Sequence, residues 1–205
     1  MSNLFIILFR TLFLTVSGIL MLPVVDIYLD SIMALHMSAQ MGGLVLLGVL
    51  TAKTIKKPLN IFPILKAGKT LKLNQYGVSS LIFFLGTITF WMIPRSLDLA
   101  VTDNMVDYIM HINLFCAGFL LGKSLEKMPF VLKTAAGIYG LSMWISAGLT
   151  YSRYNLLLCA TYDLEMQKET GELLLNIFWF AFILFLILTA KNLIKFAQQS
   201  GHHDK

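Results

Sequence analysis

Long apolar runs separated by short polar stretches set the pattern of this chain, and within each run the apolar positions are continuous rather than alternating. Alternation would mark a half-buried strand. Continuous runs near 20 residues have the length of a helix that crosses the hydrocarbon core of a bilayer. Taken in turn, they predict helices at about 4 to 25, 31 to 51, 75 to 93, 104 to 122, 130 to 150 and 172 to 191. A helix satisfies its own backbone hydrogen bonds, so these segments are expected to form an all-α polytopic membrane helical bundle of about six transmembrane helices. The connections leave no length for a separate soluble domain, and residues 1 to 205 read as a single integral membrane domain.

Composition supports this reading, since 57% of the 205 residues are hydrophobic and the mean hydropathy is +0.75. The first run follows only Ser2 and Asn3, carries Arg10 inside it and lacks a small-residue cleavage site, so it is expected to be a retained helix. Cys116 and Cys159 are the two cysteines, one inside an expected span and one between spans. They do not make a disulfide framework.

Charge then orients the bundle. Residues 53 to 73 carry Lys53, Lys56, Lys57, Lys66, Lys69 and Lys72 with no acid, whereas "IPRSLDLAVTDN" carries Asp98 and Asp103 against Arg95. The positive-inside rule makes the lysine segment a basic cytoplasmic interfacial loop, a reading reinforced by its apolar residues, Pro58, Pro63 and Gly68. Lys123, Lys127, Lys133, Lys191 and Lys195 then fall on the cytoplasmic side, and Asp163, Glu165, Glu169 and Glu172 on the outer side. Both termini are expected in the cytoplasm, with the chain in the cell inner (cytoplasmic) membrane. The net charge of +5 is accounted for by lipid headgroups and a solvated loop, and points to no nucleic acid.

Two polar places break the apolar pattern. In "YLDSIMALHMSAQMGG", Met33, Met37 and Met41 recur at four-residue spacing with His36 beside them, and Asp26 and Asp30 stand just before. In "NMVDYIMHINLFCAG", Asp107 precedes His111 by one helical turn and Met110 adjoins it. Both histidines are expected at similar outer-leaflet depth beneath an acidic mouth of Asp26, Asp30 and Asp107. Thioether and imidazole suit Cu(I), and an outer carboxylate cluster would concentrate a cation. Methionines at this spacing also fill bundle cores, and two histidines on different helices can ligate a b-haem. All three readings stay open at this point: a copper site using His36, His111, Met37, Met110 and Met33, packing with satisfied histidines, or haem b between His36 and His111. Gln40 and Asn113 are expected to bond across helices, and Asp107 to cap its helix or orient His111. Gly18, Gly42, Gly43, Gly48, Gly118, Gly122, Gly137 and Gly140 would allow close helix contacts. His202 and His203, in the tail, read as solvated. No phosphate-binding loop, nicotinamide fingerprint, zinc-protease motif or interpretable Ser-His-Asp set is present, so the chain is not expected to be an enzyme.

"ALHMSAQM" resembles the His-Met-x-x-His-Met element of the CtaG-type cytochrome oxidase assembly proteins. "IPRSLDLAVTDNMVDYIMHINLFCAGFLLG" resembles their later segment ending in a histidine-bearing helix, and "YDLEMQKETGELLLN" their acidic, glutamine-containing approach to the final helices. The likeness covers about residues 29 to 190. It implies support of assembly or copper loading of a copper-containing respiratory or oxygenase complex, with His36 and His111 as ligand positions and Met37 and Met110 adjacent. A haem-copper oxidase or a copper oxygenase would be the partner. Gln40 stands where the element's second histidine is expected, which removes a strong ligand. The rival readings are a non-catalytic structural subunit of a large membrane complex and a b-haem electron carrier.

The charge asymmetry gives a direct test of orientation. In a cysteine-free background, Lys56→Cys and Lys69→Cys should escape an impermeant thiol reagent added to intact cells, while Lys168→Cys should react. Labelling of position 56 with protection of position 168 would invert the topology.

Overall fold

A computed structural model describes Thr15, Ile19 and residues 23–54, 76–154 and 156–200, and among these the regular structure is entirely helical. Helix α1 is Pro23–Asp30. Helix α2, Met33–Thr54, contains one π-helical turn at His36–Gln40. Helices α3, Val78–Trp91, and α4, Pro94–Thr102, meet at a bend of 74°. Helices α5, Asn104–Ser124, α6, Phe130–Arg153, and α7, Leu164–Ser200, complete the described chain. Among the described residues, four helices are long and apolar enough to cross a membrane: α2, α5, α6 and α7 through Ile194. The bent α3–α4 pair would make a fifth. The expected span at 4 to 25 and the basic segment 53 to 73 lie almost wholly outside the described residues, as do Arg10, Gly18, His202 and His203.

Two sequence expectations need correction and one alternative is narrowed, each for a local reason. The segment after residue 93 is a helix and not an open connection, because Pro94 occupies the first helical position, where its fixed φ and missing N–H cost nothing. The cap of α5 is Asp103, whose carboxylate accepts from the Met105 and Val106 amides; Asp107 does not fill that role. The last helix starts at Leu164 rather than near 172. Asp163 caps it by accepting from the Met166 amide at 2.7 Å, and the strong helix formers Leu164, Glu165, Met166, Gln167 and Lys168 carry it through a stretch whose polarity reads as a loop.

The central contact is α2 against α5, with α3 packed on α5 and α7 packed on α6. Close approach of α2 and α5 depends on glycine. A Cβ at Gly48 would strike the Phe115 carbonyl and the Phe119 amide, and one at Gly118 would strike the Val45 carbonyl. The α6–α7 pair meets in the same manner at Gly148 and Gly171, two positions that apolar patterning does not single out. Gly42 and Gly140 face open space instead. Polar crosslinks reinforce the α3–α5 seam, where Thr87 donates to Asn113 at 3.1 Å and Ser124 to Ser80 at 2.8 Å. Met33, Met37, Met41, Leu44, Trp91, Leu97, Met110 and Leu114 form the buried core at the end of the bundle where the acids gather.

A branched side chain at Gly118 would be driven into the α2 backbone, an overpacking that costs about 1–3 kcal/mol. Gly118→Leu should therefore lower the thermal unfolding midpoint of the purified protein, and Gly42→Ala should not. Equal midpoints for the two variants would contradict the α2–α5 contact.

Candidate metal centre

Asp26 and Asp30 lie one turn apart on α1, so both carboxylates share a face. Each meets a different histidine. Asp30 Oδ1 is 2.6 Å from His36 Nδ1, while Asp26 Oδ1 is 3.1 Å from His111 Nε2. A short α1 followed by the break at Ser31 and Ile32 lets the chain turn back into α2, which brings Asp30 and His36 together across six residues.

His111 is nearly buried on α5, and its two nitrogens have different tasks. Nδ1 lies 2.9 Å from the Asp107 backbone carbonyl and 3.1 Å from the Asp107 carboxylate. A carbonyl only accepts, so Nδ1 must carry the proton, and in the neutral ring Nε2 is left with a lone pair. That lone pair faces Asp26 and Gln40: Gln40 Nε2 is 3.2 Å from His111 Nε2 and donates to Asp26 Oδ1 at 2.7 Å. Gln40 is fully buried, carried into this position by the π-helical turn. Burial, with the Asp107 carboxylate next to it, raises the Asp26 carboxyl to about 6; this residue lies outside the four spans.

The ligand atoms of Asp26, Asp107 and His111 all lie within 4.8 Å of one another. Two carboxylates and an imidazole of fixed tautomer can hold a first-row divalent ion. With Nε2 protonated, the same ring becomes a cation between two carboxylates. Proton and metal thus compete for one atom.

Of the residues singled out in the sequence, the structure assembles Asp26, Asp107 and His111. His36 makes its own pair with Asp30, and its Nε2 is buried with no hydrogen-bond partner. Met33, Met37 and Met110 belong to the apolar core cluster. Asp107 orients the imidazole, one of the two roles expected for it, and Gln40 makes the cross-helix bond expected of it but does so at the centre of the site. An amide four residues from a histidine in an apolar run was the available signal.

A cleft of about 480 Å³ opens onto this group, lined by Asp26, Asp30, Asn104, Asp107, Tyr162 and Asp163 among others. One wall is the connection between α6 and α7, and three side chains, Asp98, Tyr162 and Gln167, hold it in place. Asp98 accepts from the Ala160 and Thr161 amides at 2.8 and 3.1 Å, which gives this acid a structural task. Tyr162 donates to the Asp30 carbonyl at 2.8 Å, tying the wall to α1. Gln167, almost wholly buried, accepts from the Leu158 and Cys159 amides and donates to the Cys159 and Tyr162 carbonyls. Burial also pushes the Cys159 thiol up to about 11 and the Tyr162 hydroxyl upward. No family model, curated protein or solved structure matches this chain.

Leucine in place of Gln167 would strand buried backbone groups, each at a cost of about 1–3 kcal/mol. Cys159 of the native protein should react slowly with a small maleimide at pH 8, and Gln167→Leu should speed that reaction severalfold. An unchanged rate would show that the wall does not depend on Gln167.

Proposed function

We propose that this chain is a CtaG-like membrane protein that supports assembly or copper loading of a copper-containing respiratory or oxygenase complex, and that it handles the metal as cargo at the acidic end of its bundle. The convergence of Asp26, Asp107 and His111 within 4.8 Å carries the reading. In the expected topology that end faces outward from the inner membrane, with both termini in the cytoplasm, and a haem-copper oxidase or a copper oxygenase is the client.

The donor chemistry bears on the form of the cargo. This group offers nitrogen and oxygen only, a set that takes Cu²⁺ or Zn²⁺ and serves Cu(I) poorly. Cu(I) handling would draw on the thioethers of Met33, Met37 and Met110, and rests on the resemblance. An ion is favoured over b-haem because Gln40 and Asp26 pack directly against His111 Nε2, the atom an axial ligand would have to present. Within the site, His111 supplies the nitrogen donor, the Asp107 backbone carbonyl fixes its tautomer, and the Asp107 and Asp26 carboxylates supply anionic oxygens. Asp30 and Asp163 add negative charge to the approach.

Purified full-length chain in nanodiscs should bind one Cu²⁺ or Zn²⁺ in competition with a chelator of known affinity. His111→Ala should weaken binding at least about tenfold, and so should Asp107→Asn, which keeps the backbone carbonyl that orients the ring but removes an anionic oxygen donor. Unchanged binding in His111→Ala, or no binding by the native chain, would overturn the proposal. A Soret band lost on replacing His36 or His111 would instead establish the electron carrier.

A further inference from the structure

We infer that Gln40 is a reversible ligand of the centre: its carboxamide closes the metal-free site through its nitrogen and coordinates a bound divalent cation through its oxygen. The inference rests on the metal-binding reading of Asp26, Asp107 and His111.

Three distances define the geometry. Asp26 Oδ1 and His111 Nε2 are 3.1 Å apart, and Gln40 Nε2 lies 2.7 Å from the first and 3.2 Å from the second. Two donor atoms about 3 Å apart are spaced to share one ion with bonds of about 2.0–2.2 Å. The amide nitrogen lies against both of them and directs its N–H groups at the lone pairs the ion needs. A carboxamide nitrogen donates hydrogen bonds and does not ligate, so the ion and this orientation of Gln40 exclude each other.

The other end of the same planar group supplies the second half of the argument. Gln40 Oε1 is buried and has no hydrogen-bond partner, although Gln40 is completely shielded from solvent. Buried acceptors are ordinarily satisfied, so an orphan at the edge of a donor cluster marks a missing partner. A half-turn of the amide about its last side-chain bond exchanges nitrogen for oxygen without moving α2. It removes the competing N–H groups from Asp26 and His111 and presents an oxygen to the ion they hold. Histidine at this position would be a standing ligand for a resident metal. Glutamine instead makes loading and release a matter of one side-chain rotation, which suits a metal that is cargo.

The test compares the native chain with Gln40→Glu and Gln40→His, full length in nanodiscs, using Zn²⁺ as the probe. Neither replacement can close the site with a carboxamide, and each brings a stronger ligand. Both should bind Zn²⁺ at least about tenfold more tightly and release it to excess chelator correspondingly more slowly. In native protein labelled with ¹³C-glutamine, adding Zn²⁺ should shift a side-chain carbonyl band in infrared difference spectra, a shift absent from Gln40→Glu. Absence of any such shift in native protein that binds Zn²⁺ would count against Gln40 even if the variants fail to insert. Native protein that binds Zn²⁺ with no carbonyl shift, or variants that match its affinity and release rate, would overturn the role of Gln40 and leave the site intact. Absence of Zn²⁺ binding by the native chain would overturn the site and this inference with it.

Discussion

A histidine buried between two carboxylates, at the end of a bundle made almost entirely of apolar side chains, must find every hydrogen bond it needs within the protein. His111 imposes that condition here. Its Nδ1 is met by Asp107 on its own helix, and its Nε2 by Asp26 from α1 and Gln40 from α2. Three helices are thereby committed to one small volume. The π-helical turn that delivers Gln40, the break that returns α1 upon α2, and the glycines that let α2 and α5 touch all serve the same closure. Apolar packing alone would permit these helices to slide by a turn; the polar junction fixes their register.

The same condition gives the centre its chemical character. An imidazole with a defined tautomer and two acids held against it would be a stable ion pair when protonated and a ligand set when not. The cleft beside it is walled by a connection that Asp98, Tyr162 and Gln167 pin to three different helices. A rigid wall keeps the donors at their spacing and leaves the adjustment to a side chain. Near the site, Gln40 Oε1, Asp107 Oδ1 and His36 Nε2 are buried without a hydrogen-bond partner. His36 is paired with Asp30 through Nδ1, which leaves its buried Nε2 free to accept a hydrogen bond.

Much of the architecture was legible in hydropathy. Four apolar runs appear as membrane-length helices whose starts were placed within a few residues, except where helix-forming polar residues extended α7 backward from 172 to 164. The pairing of Asp107 with His111 followed from one-turn spacing on a single helix. Asp26 with His111, and Gln40 with both, did not, because those contacts join residues far apart in the chain and depend on how α1 and α2 rotate against α5. A π-helical turn shifts the phase of a helix, so the face inferred from four-residue spacing of Met33, Met37 and Met41 misleads about which side chains reach the acids. Gln167 and Asp98 were likewise visible as polar residues near span ends, but nothing in their spacing announces that their partners are backbone amides of another segment.

X-ray absorption at the zinc edge of stoichiometrically loaded protein tests the account most directly, because it reports the donor atoms rather than the occupancy. The centre described here predicts one imidazole and two or three oxygen donors near 2.0–2.1 Å, with no sulfur shell. A sulfur shell at about 2.3 Å would mean that methionine or cysteine, and not Asp26, Asp107 and His111, holds the metal.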